Sequence, residues 1–258
     1  MATQIAKAIM NASCPRLDGR GMQKSKRANL GKGAETQQRP AARSLFAQAK
    51  KAYNSARSAE QYRFGFELLR RAAAVGHIGA HEWLGAAYDY GLGTRPSRRL
   101  AFKHYKIAAD ARNANAEYHV GVFYHDGIAV PRDYRNAIVW LRRAVRHGDE
   151  TATYWLGQCY LHGRGVSKNE KKGFDLELDA AQRRVVEAQY SVGVCYERGQ
   201  GVPPDPKKAF RWYLTAARRG YREAAYSLAR LYDAGLGTPA NKRRAEYWYR
   251  RGDALKPC

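Results

Sequence analysis

The chain has 258 residues and carries 46 basic against 23 acidic side chains, a formal net charge of +23. That length suits one or two ordinary domains, or one elongated one, with enough chain for a real core. No run approaches the roughly 18 consecutive apolar residues of a spanning helix, and the four cysteines (Cys14, Cys159, Cys195, Cys258) show neither metal-ligand spacing nor the framework of a small disulfide-stapled domain.

Residues 1–43 contain none of the thirty aromatic side chains, the first of which is Phe46, and hold nine basic residues against two acidic ones. A segment without bulky side chains cannot offset its chain entropy, so 1–43 reads as a disordered basic tail and 44–258 as the folded body. Lys7 interrupts the only early apolar stretch, so the h-region expected of a secretory signal is missing there. Ile5, Ile9 and Met10 would share one face of any short helix there, and acids are rare, a composition that also fits an organellar transit peptide. An arm for nucleic acid or another acidic surface, centred on Lys24, Lys26, Arg27 and Lys32, is the third reading.

The body repeats itself. Gly85, Gly121, Gly157 and Gly193 lie 36 residues apart, as do Tyr88, Tyr124, Tyr160, Tyr196 and Tyr232, and Gly91, Gly127, Gly163, Gly199 and Gly235. Ala80, Ala116, Ala152, Ala188 and Ala224 form another column, and Leu84, Val120, Leu156, Val192 and Leu228 another. Five full units follow one another without insertion, after a degenerate one marked by Gly65, Phe66, Leu69, Ala72 and Ala73. Each unit reads as two helices. Ala, Leu or Val, Gly and Tyr at offsets 0, 4, 5 and 8 make one stripe of helix A. The glycine at offset 11 suits a left-handed helix end, since it has no Cβ to clash. Ser97, Asp133, Asn169, Asp205 and Asn241 are N-cap types and mark the start of helix B. Helix B adds Ala101, Ala137, Gly173, Ala209 and Ala245, then His104, Trp140, Leu176, Trp212 and Trp248. One hairpin cannot cover its own apolar face, so the units must stack into an all-α fold, an α-solenoid.

The string AQYSVGVCYERGQGVPPDPKKAFRWYLTAARRG at 188–220 resembles a Sel1-like repeat, a relative of the tetratricopeptide repeat, and 116–148 and 224–252 follow the same pattern. The resemblance covers roughly 44–254. It implies a right-handed superhelix of stacked helix–turn–helix units that serves as a scaffold or adaptor for protein assemblies, with no general catalytic site. Gly173, Leu176, Glu177 and Glu246 depart from the pattern. A branch of the family resembles disulfide-linked hydrolases with two cysteines paired in each unit, a pairing this chain lacks.

The resemblance also implies that helix A lines the inner groove. The expected partner-binding columns are Ala86, Val122, Gln158, Val194 and Arg230, and then Asp89, His125, Leu161, Glu197 and Asp233, whose identities vary while the packing columns stay fixed. A basic patch is expected from Arg142, Arg143, Arg218, Arg219, Arg222, Arg243 and Arg244. Cations near the C-terminus of helix B suit its dipole, yet the body's excess charge goes beyond that and should draw acidic partners. Tyr118, Tyr154, Tyr190 and Tyr226 form a ladder read as repeat packing, and Cys159 and Cys195 occupy an otherwise apolar column and read as buried small hydrophobes. Neither a His-Glu-x-x-His motif, a serine elbow nor a Walker loop occurs, and the Gly-x-Gly loops follow helices and recur with the repeat. The expectation is therefore a non-enzymatic protein-binding scaffold without metal or cofactor, taking an acidic or extended protein segment. The alternative is a basic protein that binds nucleic acid or an anionic membrane surface. Unpaired thiols and the missing secretory signal favour the cytoplasm.

Overall fold

The computed structural model describes the backbone over residues 32–255 and the side chains over 40–255. Cys14, Cys258 and the proposed arm residues Lys24, Lys26 and Arg27 lie outside the described residues, as does the Lys32 side chain. Among the described residues there are twelve α-helices and no strand. They are α1 (Lys32–Ser55), α2 (Ala59–Ala74), α3 (Ile78–Tyr90), α4 (Arg98–Asp110), α5 (Ala114–Asp126), α6 (Tyr134–Arg146), α7 (Glu150–His162), α8 (Glu170–Gln182), α9 (Val186–Arg198), α10 (Pro206–Arg218), α11 (Arg222–Ala234) and α12 (Lys242–Ala254). From α3 onward every helix has 13 residues, and each begins 36 residues after its counterpart. One boundary differs from the expected start at 44: α1 begins at Lys32, and Ala42 is already buried.

The termini follow from local chemistry. The side chains of Ser97, Asp133, Asn169, Asp205 and Asn241 accept hydrogen bonds from the backbone N–H groups of Leu100, Asn136, Lys172, Lys208 and Arg244. Each cap satisfies an orphan donor and stabilises its helix by about 1 kcal/mol. The odd-numbered helices from α3 end on Gly91, Gly127, Gly163, Gly199 and Gly235, all left-handed with φ between 68° and 72°.

The described residues divide into two compact units between Pro131 and Arg132. In the first, α1 packs on α2, α2 on α3, α3 on α4 and α4 on α5; in the second, each of α6 to α11 packs on the helix that follows it. Both units are therefore all-α solenoid segments in which no hairpin stands alone. The stacking contacts recur with the period. Phe66 meets Tyr88 edge to face at 5.3 Å between ring centroids, Phe102 meets Tyr124 at 5.6 Å, Phe174 meets Tyr196 at 5.3 Å and Phe210 meets Tyr232 at 5.2 Å. In each pair the phenylalanine comes from the preceding hairpin. Such pairs contribute about 0.5–1.5 kcal/mol beyond the area they bury. The same tyrosine column takes a cation on its face: Lys172 over Tyr160 at 4.3 Å, Lys208 over Tyr196 at 5.2 Å and Arg244 over Tyr232 at 5.7 Å.

Within a hairpin, the glycine of helix A receives a side chain from helix B. A Cβ on Gly193 would lie 2.7 Å from the Tyr213 ring, and one on Gly85 would lie 2.6 Å from that of Tyr105. The alanines of the columns headed by Ala80 and Ala101 are buried and let the backbones approach.

Candidate functional site

Offsets 2, 6 and 9 of helix A fall on one stripe, because side chains three and four positions apart share a helical face. In the second unit this stripe carries Tyr154, Gln158 and Leu161 on α7, Tyr190, Val194 and Glu197 on α9, and Tyr226, Arg230 and Asp233 on α11. Side-chain bonds join the three helices. Gln158 Nε2 donates to Ser191 Oγ at 3.0 Å, linking α7 to α9. The Arg230 guanidinium donates to Glu197 Oε1 at 2.5 Å, linking α11 to α9, and Tyr213 from α10 donates to Glu197 Oε2 at 2.6 Å. Arg230 and Asp233 are exposed, while Gln158, Val194, Glu197 and the three tyrosines are half-buried. Tyr190 packs against Tyr221 at 5.1 Å and Tyr213 at 5.6 Å, and Tyr226 donates to Asp253 at 2.8 Å. The tyrosine ladder therefore sits in repeat packing, its residues half-buried.

Not every expected groove residue reaches the surface. Ala86, Asp89, His125 and Leu161 are buried. Burial at offset 9 is confined to Asp89, His125 and Leu161, while Glu197 and Asp233 at the same offset stay open. Asp89 is held by the Arg98 guanidinium, and His125 Nδ1 lies 2.6 Å from the Asp126 carboxylate. These four residues present little to a partner. In the first unit the stripe leaves Val122 and Tyr118 half-buried on α5, while Glu82 on α3 accepts from Asn113 at 2.9 Å.

The basic residues are largely engaged in the fold. Arg142 donates to the Tyr160 hydroxyl at 2.9 Å and Arg143 lies 4.1 Å over the Trp140 ring. Arg219 donates to the Arg184 carbonyl, Arg222 donates to the Tyr226 hydroxyl at 3.2 Å, and Arg244 covers Tyr232. Of the seven, Arg218 and Arg243 are exposed and make no such contact among the described residues.

A polar cluster went unrecognised in the sequence. Glu177 of α8 is fully buried in a column otherwise filled by Tyr105, Leu141, Tyr213 and Tyr249. Its carboxylate accepts from Gln158 Nε2, and the Cys195 thiol lies 3.6 Å from its other oxygen. Burial, opposed by hydrogen bonds from Ser191, Gln158 and Cys195, pushes the carboxyl up to about 7. The only signal in the chain was the joint departure at Gly173, Leu176 and Glu177. Cys159 and Cys195 are buried free thiols, and burial pushes Cys159 up to about 11. His81 pairs with His104, their Nδ1 atoms being 3.0 Å apart; burial pushes His104 down to about 4. No group of three His, Cys, Asp or Glu placed to hold a metal occurs among the described residues.

The Sel1 repeat model matches residues 58–77, 79–113, 114–149, 151–176, 186–221 and 222–252. Among solved structures, the chain is similar to a Sel1 repeat protein from Oxalobacter formigenes at 28% identity, covering 86% of this chain and 88% of that one with a TM-score of 0.75. It shares its fold with c5321, a protective antigen of uropathogenic Escherichia coli, at 24% identity and a TM-score of 0.70, covering 88% of this chain and 49% of that one. The immunity protein Pa5087 of Pseudomonas aeruginosa has the same fold at 20% identity and a TM-score of 0.56, covering 83% of this chain and 82% of that one. No curated protein matches the chain. With six matched repeats spread over most of its described length, the chain belongs to the Sel1 repeat family.

Proposed function

We propose that the chain is a non-enzymatic adaptor that binds an extended polypeptide segment along the stripe of α7, α9 and α11. Proteins of this repeat family generally mediate protein–protein interaction, which supports the reading. The observation that carries it is the linkage of three successive helices by Gln158–Ser191 and Glu197–Arg230, with unlike residues at equivalent exposed or half-buried positions. A ladder of half-buried tyrosines beside variable side chains suits a segment that runs across several units and shares its affinity among them. Buried free thiols at Cys159 and Cys195 fit a reducing compartment such as the cytosol. Among the described residues no helix is long and apolar enough to cross a membrane.

Peptides selected by display on the full chain test the face. They should lose at least about tenfold in affinity on Val194→Asp and keep it on Arg211→Ala, a change at an exposed position of α10. The reverse pattern would move the binding surface off helix A. A second reading rests on the net charge of +23: a nucleic acid or an anionic membrane surface as partner. RNA binding with a steep log–log dependence on salt, insensitive to Val194→Asp, would favour it.

A further inference from the structure

The junction between α2 and the loop after α3 breaks the repeat in a way that the adaptor reading does not use. By register with α4, α2 should begin at residue 62; it begins at Ala59. The early start is stabilised locally. The Ser58 hydroxyl oxygen accepts from the Gln61 N–H at 3.3 Å, and the Gln61 side chain accepts from the Arg57 N–H at 2.6 Å. This extra turn walls a cavity of about 530 Å³ against the loop Gly91–Arg95, lined by Arg57, Ser58, Arg63, Thr94 and Arg95 together with Tyr62. The volume lies within the roughly 300–1,000 Å³ of small-ligand clefts.

The lining is cationic without compensation. Arg57, Arg63 and Arg95 are exposed, and none of their guanidiniums has a hydrogen-bond or ion-pair partner among the described residues. No carboxylate lines the cavity. The Ser58 hydroxyl, having accepted the cap bond, still has its proton to donate, and the first-turn N–H groups of α2 carry the positive end of its dipole. Tyr62 is buried, and its hydroxyl lacks a hydrogen-bond partner. Arg63 heads a column that is basic in every unit (Arg99, Arg135, Lys171, Lys207 and Arg243), whereas Arg57 and Arg95 have no basic counterparts. The positions equivalent to Arg95 are Pro131, Ser167, Pro203 and Pro239, and among the described residues the turn holding Arg57 and Ser58 exists only here.

We propose that this cavity binds a small organic phosphate by its phosphoryl group. A phosphomonoester dianion offers three acceptor oxygens to three planar, permanently charged forks, a better match than the two oxygens and single charge of a carboxylate. Helix N-termini take such groups readily.

Isothermal titration of the full chain with ribose 5-phosphate, inorganic phosphate and acetate tests the site. The expected result is one saturable site per chain for ribose 5-phosphate, weaker binding of inorganic phosphate and none of acetate. Arg63→Ala/Arg95→Ala should weaken ribose 5-phosphate by at least about tenfold, while Arg211→Ala/Arg243→Ala, which removes the same charge elsewhere, leaves it unchanged. Equal losses in the two pairs would assign the binding to the overall field and overturn the proposal. So would acetate binding as tightly, no saturation up to roughly 10 mM, or binding confined to phosphatidylserine vesicles. Peptide binding on α7, α9 and α11 is read independently by Val194→Asp, so the two proposals fail separately.

Discussion

The hairpins α7–α8 and α9–α10 have the same length and register, yet fill the same space differently. In α9–α10 the Tyr213 ring lies over Gly193, with an alanine, Ala209, at the crossing. In α7–α8 a carboxylate stands where the ring would be, and Gly173 replaces the alanine. The backbones close in to compensate: a Cβ on Gly173 would lie 2.9 Å from the Gly157 carbonyl oxygen and 2.7 Å from Leu161 Cγ. Losing a ring and losing a methyl are thus one change. A repeat can alter its interior when two substitutions move together, and the polar group left inside must then find partners from neighbouring hairpins.

The largest test is common to that region. Leu156→Ala removes a buried side chain of α7 and should cost about 2–5 kcal/mol in chemical denaturation. Gly173→Ala strikes the comparison itself and should cost about 2–4 kcal/mol, since a methyl there meets backbone as well as Leu161. Ala209→Gly, the mirror change in α9–α10, should cost only about 1 kcal/mol of helix propensity. Similar losses for the two would mean that α7 and α8 are no closer than α9 and α10. Gln158→Ala is next. From sequence its position reads as a free surface site, costing under about 0.5 kcal/mol when changed. Its bond to Glu177 raises the expected loss to about 1–3 kcal/mol, because a buried acceptor loses its donor.

The pH dependence sharpens the contrast further. The Glu177 carboxyl is raised to about 7 from an ordinary 4.5, so the folded chain holds its proton more tightly than the unfolded chain. The stability this provides is complete below pH 4.5 and is lost as pH rises through about 7. Amide protection of α7 and α8 should fall across that window in the native chain and stay level in Glu177→Gln. A matching fall at α9 and α10 in both proteins would locate the titrating group elsewhere. The smallest effect concerns the loop column Gly93, Gly165, Gly201 and Gly237, where Ala129 holds a left-handed φ of 61°. A Cβ on Gly201 would overlap the Glu170 carbonyl oxygen. Ala129→Gly should raise stability by about 0.5–1 kcal/mol, read as a shift of the denaturation midpoint.

Periodicity made the frame readable before any coordinates. Five N-cap side chains and five left-handed glycines stand where their types require them, because a cap depends on neighbours three residues away. What depends on other helices was hidden. Glu177 meets Ser191 and Cys195 only after α8 and α9 stack, and Arg98 reaches Asp89 around the end of α3. The arginines looked like a solvated patch, but their spacing does not disclose that Arg142 ends on Tyr160 or Arg143 on Trp140. The start of α1 was missed because the composition of 32–43 resembles the tail, while a single buried Ala42 is too small to register.

The recurrence of Phe174 on Tyr196 and Phe210 on Tyr232 has a consequence for how such a chain grows. Copying 186–221 in tandem would hand every new ring the neighbour it already has, and no junction would need redesign. A shift of one residue within a helix would rotate each following side chain by about 100° and unseat them together. Lengthening by whole modules is therefore nearly free of structural conflict, whereas small insertions are confined to the linkers. A lineage can extend its reach in discrete steps while retaining the same joint.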